Sequence, residues 1–112
     1  MSLELNPGEQ ELKSGRANLQ RGRETVGGRL TLTNQRMLFT AHQFNVQSGA
    51  TEIPLEAIRG TRPVWTKFLN LIPLAPNSLA VLTIDGTEFR FVLSGRSHWQ
   101  EAIGAARPRS AG

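Results

Sequence analysis

Apolar and polar positions alternate most cleanly between Gly28 and Thr40, where Leu30 and Leu32 fall on one side of an extended segment and Arg29, Thr31 and Thr33 on the other. Strand side chains point to opposite faces in turn, so the alternation predicts a half-buried strand. Asn34-Gln35 interrupts it with a residue that tolerates left-handed backbone angles. Pairing Thr33 with Arg36 sets Leu32 opposite Met37 and Leu30 opposite Phe39, which gathers four apolar side chains on one face. A slip of one residue would mix Thr31 and Thr33 into that set, so the pattern predicts the register as well as the hairpin.

A second hairpin is predicted from Leu79 to Leu93, around Asp85-Gly86, a strong two-residue turn signal because both residues accept positive φ. Pairing Ile84 with Thr87 sets Leu82 opposite Phe89 and Ala80 opposite Phe91. Ile84 and Leu93 then share that inner face, and Glu88 and Arg90 point away. Two hairpins with one apolar face each can bury those faces against one another.

Around these units the signals are weaker. Residues 1–10 carry Pro7-Gly8 and little periodicity, and read as a lead-in. Residues 11–106 form one domain. Glu11 to Leu19 predicts a first strand whose apolar phase changes between Leu12 and Ala17, with Gly15 as the expected bulge. Gln20 to Gly28 reads as a glycine-punctuated, basic connection. Thr51 to Leu55 predicts a short strand with Pro54 at its end or edge, and Ile58 to Val64 another. At Ser97 the period changes: Ser97 and Gln100 fit a capping box, Trp99 and Ile103 start an apolar stripe, and Pro108 stops the helix near Arg107. Residues 107–112 read as a flexible tail.

Composition narrows the chemistry. There is no cysteine, which removes disulfides and thiolate sites. No basic-plus-apolar stretch at the N-terminus resembles a signal peptide. The most apolar region, Val64 to Ile84, is broken by Lys67, Asn70, Pro73, Pro76 and Asn77 and does not read as a membrane-crossing helix. The net charge of +4 is concentrated: Lys13 to Arg36 holds six bases and one acid. That excess reads either as a solvated face or as a face towards an anionic partner. His42 and His98 lie in no metal spacing, and no cofactor or nucleotide-loop motif is present. No nucleic-acid partner is expected, because the bases are dispersed and Phe39, Phe89 and Phe91 are committed to the core.

Taken in order, Gly28-x-Leu30-x-Leu32-Thr33-Asn34-x-Arg36-x-Leu38-Phe39, Ile53-Pro54-Leu55-x-x-Ile58, Asp85-Gly86-x-x-Phe89-x-Phe91, and Trp99 with Ile103 resemble the GRAM domain, a member of the pleckstrin-homology-like superfold. The resemblance spans roughly residues 8–106. It implies a mainly β fold of seven antiparallel strands in two near-orthogonal sheets, a barrel or sandwich capped by the C-terminal helix. It also implies a non-enzymatic module for lipid or protein binding. The chain reads as a small stand-alone member, cytoplasmic and peripheral to membranes.

Two segments are candidates for contact. In pleckstrin-like domains the loop between the first two strands commonly meets anionic headgroups, which nominates Arg21 and Arg23, with Arg29 nearby. The second is 65–76, unusually apolar for a connection: Trp65, Lys67, Phe68, Leu71 and Ile72 read as folded-back core, a membrane-dipping loop, or a surface for a partner or a second copy. The expected function is association with anionic membrane surfaces. The alternative is a protein-interaction or self-association module, including a homodimer, with no lipid ligand.

Overall fold

The computed structural model describes residues 5–21, 24–41, 50–64, 67–68, 72–73 and 78–107. Seven strands form one antiparallel sheet: β1 (Glu11–Arg21), β2 (Glu24–Thr33), β3 (Arg36–Ala41), β4 (Ala50–Pro54), β5 (Ile58–Val64), β8 (Ser78–Thr83) and β9 (Glu88–Leu93). Between β5 and β8 lie two short strands, β6 (Lys67–Phe68) and β7 (Ile72–Pro73), paired only with each other. The helix α1 (Arg96–Ala106) ends the described chain.

Across the sheet the order is β4-β3-β2-β1-β9-β8-β5. The two sheets that the resemblance implies are therefore joined in one hydrogen-bonded ladder. The joint is β1, which pairs with β2 along its length and with β9 only from Ala17 to Gln20. The sheet curls. In a flat sheet β3 and β9 would be three strand spacings apart, about 14 Å, yet the rings of Phe39 and Phe91 lie 5.9 Å apart, tilted at 48°. Leu19, Leu30, Leu32, Met37, Ile53, Leu79, Val81 and Ile103 fill the concave side with them.

The β2–β3 hairpin has the register that alternation predicts: Leu32 pairs with Met37 and Leu30 with Phe39. Its opposite face is less open than expected, since Thr31, Thr33 and Leu38 are also buried. Gly28 is required by space, because a Cβ there would lie 2.2 Å from the Thr40 carbonyl oxygen and 2.7 Å from Phe39 Cζ. No side chain fits at that distance from backbone.

The β8–β9 hairpin is one residue out from the expected register. Leu79 pairs with Phe91, Val81 with Phe89 and Leu82 with Glu88, so Leu79, Val81, Phe91 and Leu93 face the core. Leu82 is half-buried, and Ile84 is 72% exposed. The cause is the turn. Thr83 N–H bonds the Thr87 carbonyl at 2.9 Å, closing a three-residue loop in which Gly86 holds φ 91°. Asp85 accepts hydrogen bonds from the Thr83 hydroxyl and, at 3.0 Å, from the Thr87 amide. Three-residue hairpins place glycine at the left-handed position.

Three further local expectations are corrected. The irregularity in β1 lies between Glu11 and Lys13, which turns Leu12 outward at 51% exposure; Gly15 is in regular pairing with Leu30. A Cβ at Gly15 would meet Trp99 Cζ2 at 3.7 Å, an ordinary contact, so packing does not demand glycine there. The basic connection shrinks to residues 22–23, because β1 runs to Arg21 and β2 starts at Glu24. Finally, Ser97 does not cap α1. Gly95 is the N-cap at φ 67° and no side chain caps the helix. Trp99 and Ile103 do anchor it, and Arg107, just before Pro108, is extended.

Candidate functional site

Residues 5–10 are tied to the first hairpin. Gln10 and Asn34 exchange two bonds, Asn34 N–H to the Gln10 carbonyl at 3.1 Å and Gln10 N–H to Asn34 Oδ1 at 2.8 Å. The Glu9 side chain is fully buried and accepts from Arg36 Nε at 2.8 Å, Arg36 Nη2 at 3.1 Å and Thr33 Oγ1 at 2.5 Å. The Arg36 bonds outweigh the cost of burial and lower its pKa to about 2. Arg36 is thereby spent on structure, with Glu52 as its second partner at 3.4 Å.

Most other described cations are also committed. Arg62 and Arg90 share Glu88 at 3.0 and 2.5 Å, and these bonds, Arg90's first, lower the Glu88 pKa. Arg96 donates to the carbonyls of Val64 and Ser78, and Arg107 to that of Arg59. Lys13 Nζ sits 5.1 Å from the centroid of the Trp99 ring.

Arg16 and Arg29 differ. They are directly opposite each other across β1 and β2, both exposed, on the face away from the core. Among the described residues neither has a carboxylate within ion-pair distance. Arg29 Nε donates to Ser14 Oγ at 2.9 Å, which steadies its guanidinium along the strand. Opposed like charges cost stability in a sheet unless something of opposite sign covers them. Beside Arg16, where β9 ends and β1 continues, Asn18, Val92 and Ser94 line a groove of about 390 Å³, at the small end of ligand-sized clefts.

Of the residues nominated from sequence, Arg29 therefore stands in this exposed pair. Arg21 ends β1 opposite Glu24, so the turn carries its own acid, and Arg23 lies outside the described residues. Trp65 and Leu71 also lie outside them; the backbones of Lys67, Phe68 and Ile72 form the β6–β7 hairpin, with Phe68 opposite Ile72. Sequence reasoning did not single out Arg16. Its signal was parity: it falls between Gly15 and Ala17, on the phase opposite to the buried Leu19.

No helix among the described residues is long and apolar enough to cross a membrane. No family model matches the chain, and no curated protein does. Solved structures do. The chain is similar to the C-terminal domain of an unknown protein from Leishmania infantum at 17% identity, with a TM-score of 0.69 over 89% of this chain and 85% of that one. It is similar to the Vps36 N-terminal PH domain at 18% identity, TM-score 0.68, over 92% and 82%. The N-terminal PH domain of human ARAP2 matches at 18% identity, TM-score 0.64, over 89% of each. Seven antiparallel strands in one curled sheet, closed by a C-terminal helix, are the fold of a PH domain.

Proposed function

We propose that this chain is a non-catalytic, GRAM-like binding module that associates with anionic membrane surfaces from the cytoplasmic side. The observation that carries the reading is the opposed, exposed pair Arg16 and Arg29, without carboxylate partners among the described residues. Guanidinium groups hold phosphate oxygens in a fork geometry. Arg21, the last residue of β1, and Arg23 are the further bases that this reading nominates from the sequence.

Vesicle sedimentation tests it. Binding should rise with acidic lipid and fall with salt. Replacing Arg16 and Arg29 together with Ala should weaken binding roughly thirtyfold, at about 1 kcal/mol per arginine near the surface. Unchanged binding in that variant would remove the reading.

A second reading follows from the β6–β7 hairpin, which pairs with itself outside the main sheet. On this reading the apolar segment 65–76, with Trp65, Lys67, Phe68, Leu71 and Ile72 in its sequence, is the contact for a protein or a second copy. Replacing Phe68 and Leu71 with Asp separates the two: a dimer turning monomeric favours assembly, and lost vesicle binding by an unchanged monomer favours the membrane.

A further inference from the structure

Among the described residues β4 is the last strand in the order and no strand pairs with its outer edge. Which groups line that edge follows from the ladder. Leu55 N–H bonds the Gln35 carbonyl at 3.1 Å, one step beyond the pair Arg36 and Pro54. Antiparallel pairs alternate between hydrogen-bonded and non-bonded, so Met37/Ile53 and Phe39/Thr51 are the bonded pairs. The backbones of Ala50, Glu52 and Pro54 are then directed away from β3. Pro54 offers only a carbonyl, whereas Ala50 and Glu52 offer both a donor and an acceptor.

Alongside this edge runs a groove of about 360 Å³, lined by Glu52, Ile53 and Ala57 on one side and by Ile84, Asp85 and Phe89 on the other. Its lining is mostly apolar and includes the acidic residues Glu52 and Asp85. Ile84, the most exposed large apolar side chain of the described residues, stands on its far wall. The off-by-one turn of β8–β9 is what puts Ile84 there.

We propose that the β4 edge and this groove take an extended segment of another protein, alternating basic and apolar, which adds a strand to the sheet. Edge pairing supplies affinity through backbone bonds, and alternate side chains supply specificity. The occupant's charge follows from the wall: Glu52, whose side chain is half exposed despite Arg36 at 3.4 Å, and Asp85 line it. A second copy fits badly. Antiparallel self-pairing centred on Glu52 would oppose two glutamates directly. Glu52 and Pro54 thus discourage like edges and leave a basic strand as the favoured guest.

The test is an amide NMR titration of the whole chain with a capped seven-residue peptide of alternating lysine and valine. Expected are shifts at Ala50 to Pro54 and Ile84 to Phe89, with slowed exchange of the Glu52 amide. The same peptide N-methylated at alternate residues keeps its charge but loses two or more backbone bonds, and should bind at least roughly tenfold more weakly. Ile84→Asp and Glu52→Lys, each checked for an intact spectrum, should weaken the parent peptide similarly. Equal binding of the N-methylated peptide, equal binding by folded Glu52→Lys, or shifts confined to other faces would overturn the proposal. So would β4 shifts that depend on protein concentration without peptide, since the occupant would then be a second copy.

Discussion

The two hairpins make an instructive pair, because the one with the weaker turn signal is the one whose register alternation predicts. In β2–β3 the apolar phase is unambiguous: Leu30, Leu32, Met37 and Phe39 are inward, and the other phase is mostly polar. In β8 the run Leu79-Ala80-Val81-Leu82 is apolar in both phases, and Leu79, Ala80 and Val81 are all buried. Such a strand has no preferred face by pattern, so the turn decides. Asp-Gly serves a two-residue loop or the last two positions of a three-residue one. Here Thr83 and Thr87 close the longer loop, with Asp85 bridging them. A strong local motif does not set register when the strand beside it has no polar phase to protect.

The largest effect expected concerns the inner face of the second hairpin. Phe91→Ala should cost about 3–5 kcal/mol, as a fully buried ring lost from contact with Phe39. Leu82→Ala, on the other phase and half-buried, should cost about 1 kcal/mol. The register expected from Asp85-Gly86 alone would make Leu82 a core residue. Denaturant melts in which Leu82→Ala matched Phe91→Ala would restore that register and remove the comparison.

The next effect concerns what steadies the first hairpin. Glu9→Ala should cost roughly 3 kcal/mol, because Arg36 is left mostly buried with Glu52 as its remaining ion pair. The same pair predicts acid sensitivity. The folded pKa of Glu9 is lowered from 4.5 to about 2, so the unfolded chain binds its proton first as pH falls. Its contribution is full above about pH 5 and drains away as pH falls from 4.5 through 2. Asp85 and Glu88, also lowered, act in the same direction. Melts from pH 7 to pH 2.5 should show the wild type converging on Glu9→Ala, and a constant gap between them would sink the assignment.

What was legible from sequence divides along the same line. β3 and the helix were readable because each carries a single periodicity, and Pro108 stops the helix. β4 and β5 were readable on weaker grounds, β4 by Pro54 at its end and β5 with Arg59 and Arg62 breaking its alternation. The missed features are those that depend on distant partners. Glu9 looked like one polar residue in an aperiodic stretch, and nothing local marks it as the acid that meets Arg36 twenty-seven positions later. Arg16 and Arg29 each sat on a strand, but their opposition arises only from the β1–β2 register. The cap of α1 was misjudged because Gly95, left-handed at φ 67°, already ends the extended chain one residue before Arg96.

A smaller effect separates the turns themselves. Gly86→Ala should cost about 1 kcal/mol, from the φ of 91° rather than from lost contacts, since open space surrounds its missing Cβ. Gly28→Ala, where the backbone φ is ordinary and the space is absent, should cost more, about 3 kcal/mol. If the two ranked in reverse order, the turn and not the packing would be the more restrictive position.

The smallest prediction is the sharpest in sign. Turn preference alone says that Gln35→Gly, which creates Asn34-Gly, should stabilise a two-residue hairpin. The structure argues the opposite. Gln35 Nε2 donates to the Pro7 carbonyl at 3.1 Å, and its Oε1 accepts from Asn6 Nδ2 at 3.2 Å. The turn is thus held from outside by residues 6–10 rather than by its own dihedral preference. Both bonds are exposed, so their loss should cost only about 0.5–1 kcal/mol, reduced by whatever the glycine gains in turn geometry. Net destabilisation, with faster amide exchange at Glu9 and Gln10, would show that the lead-in clamps the hairpin. A stabilised variant would mean that Asn34-Gln35 is a turn under ordinary local control, and that only the apolar pattern distinguishes the two hairpins.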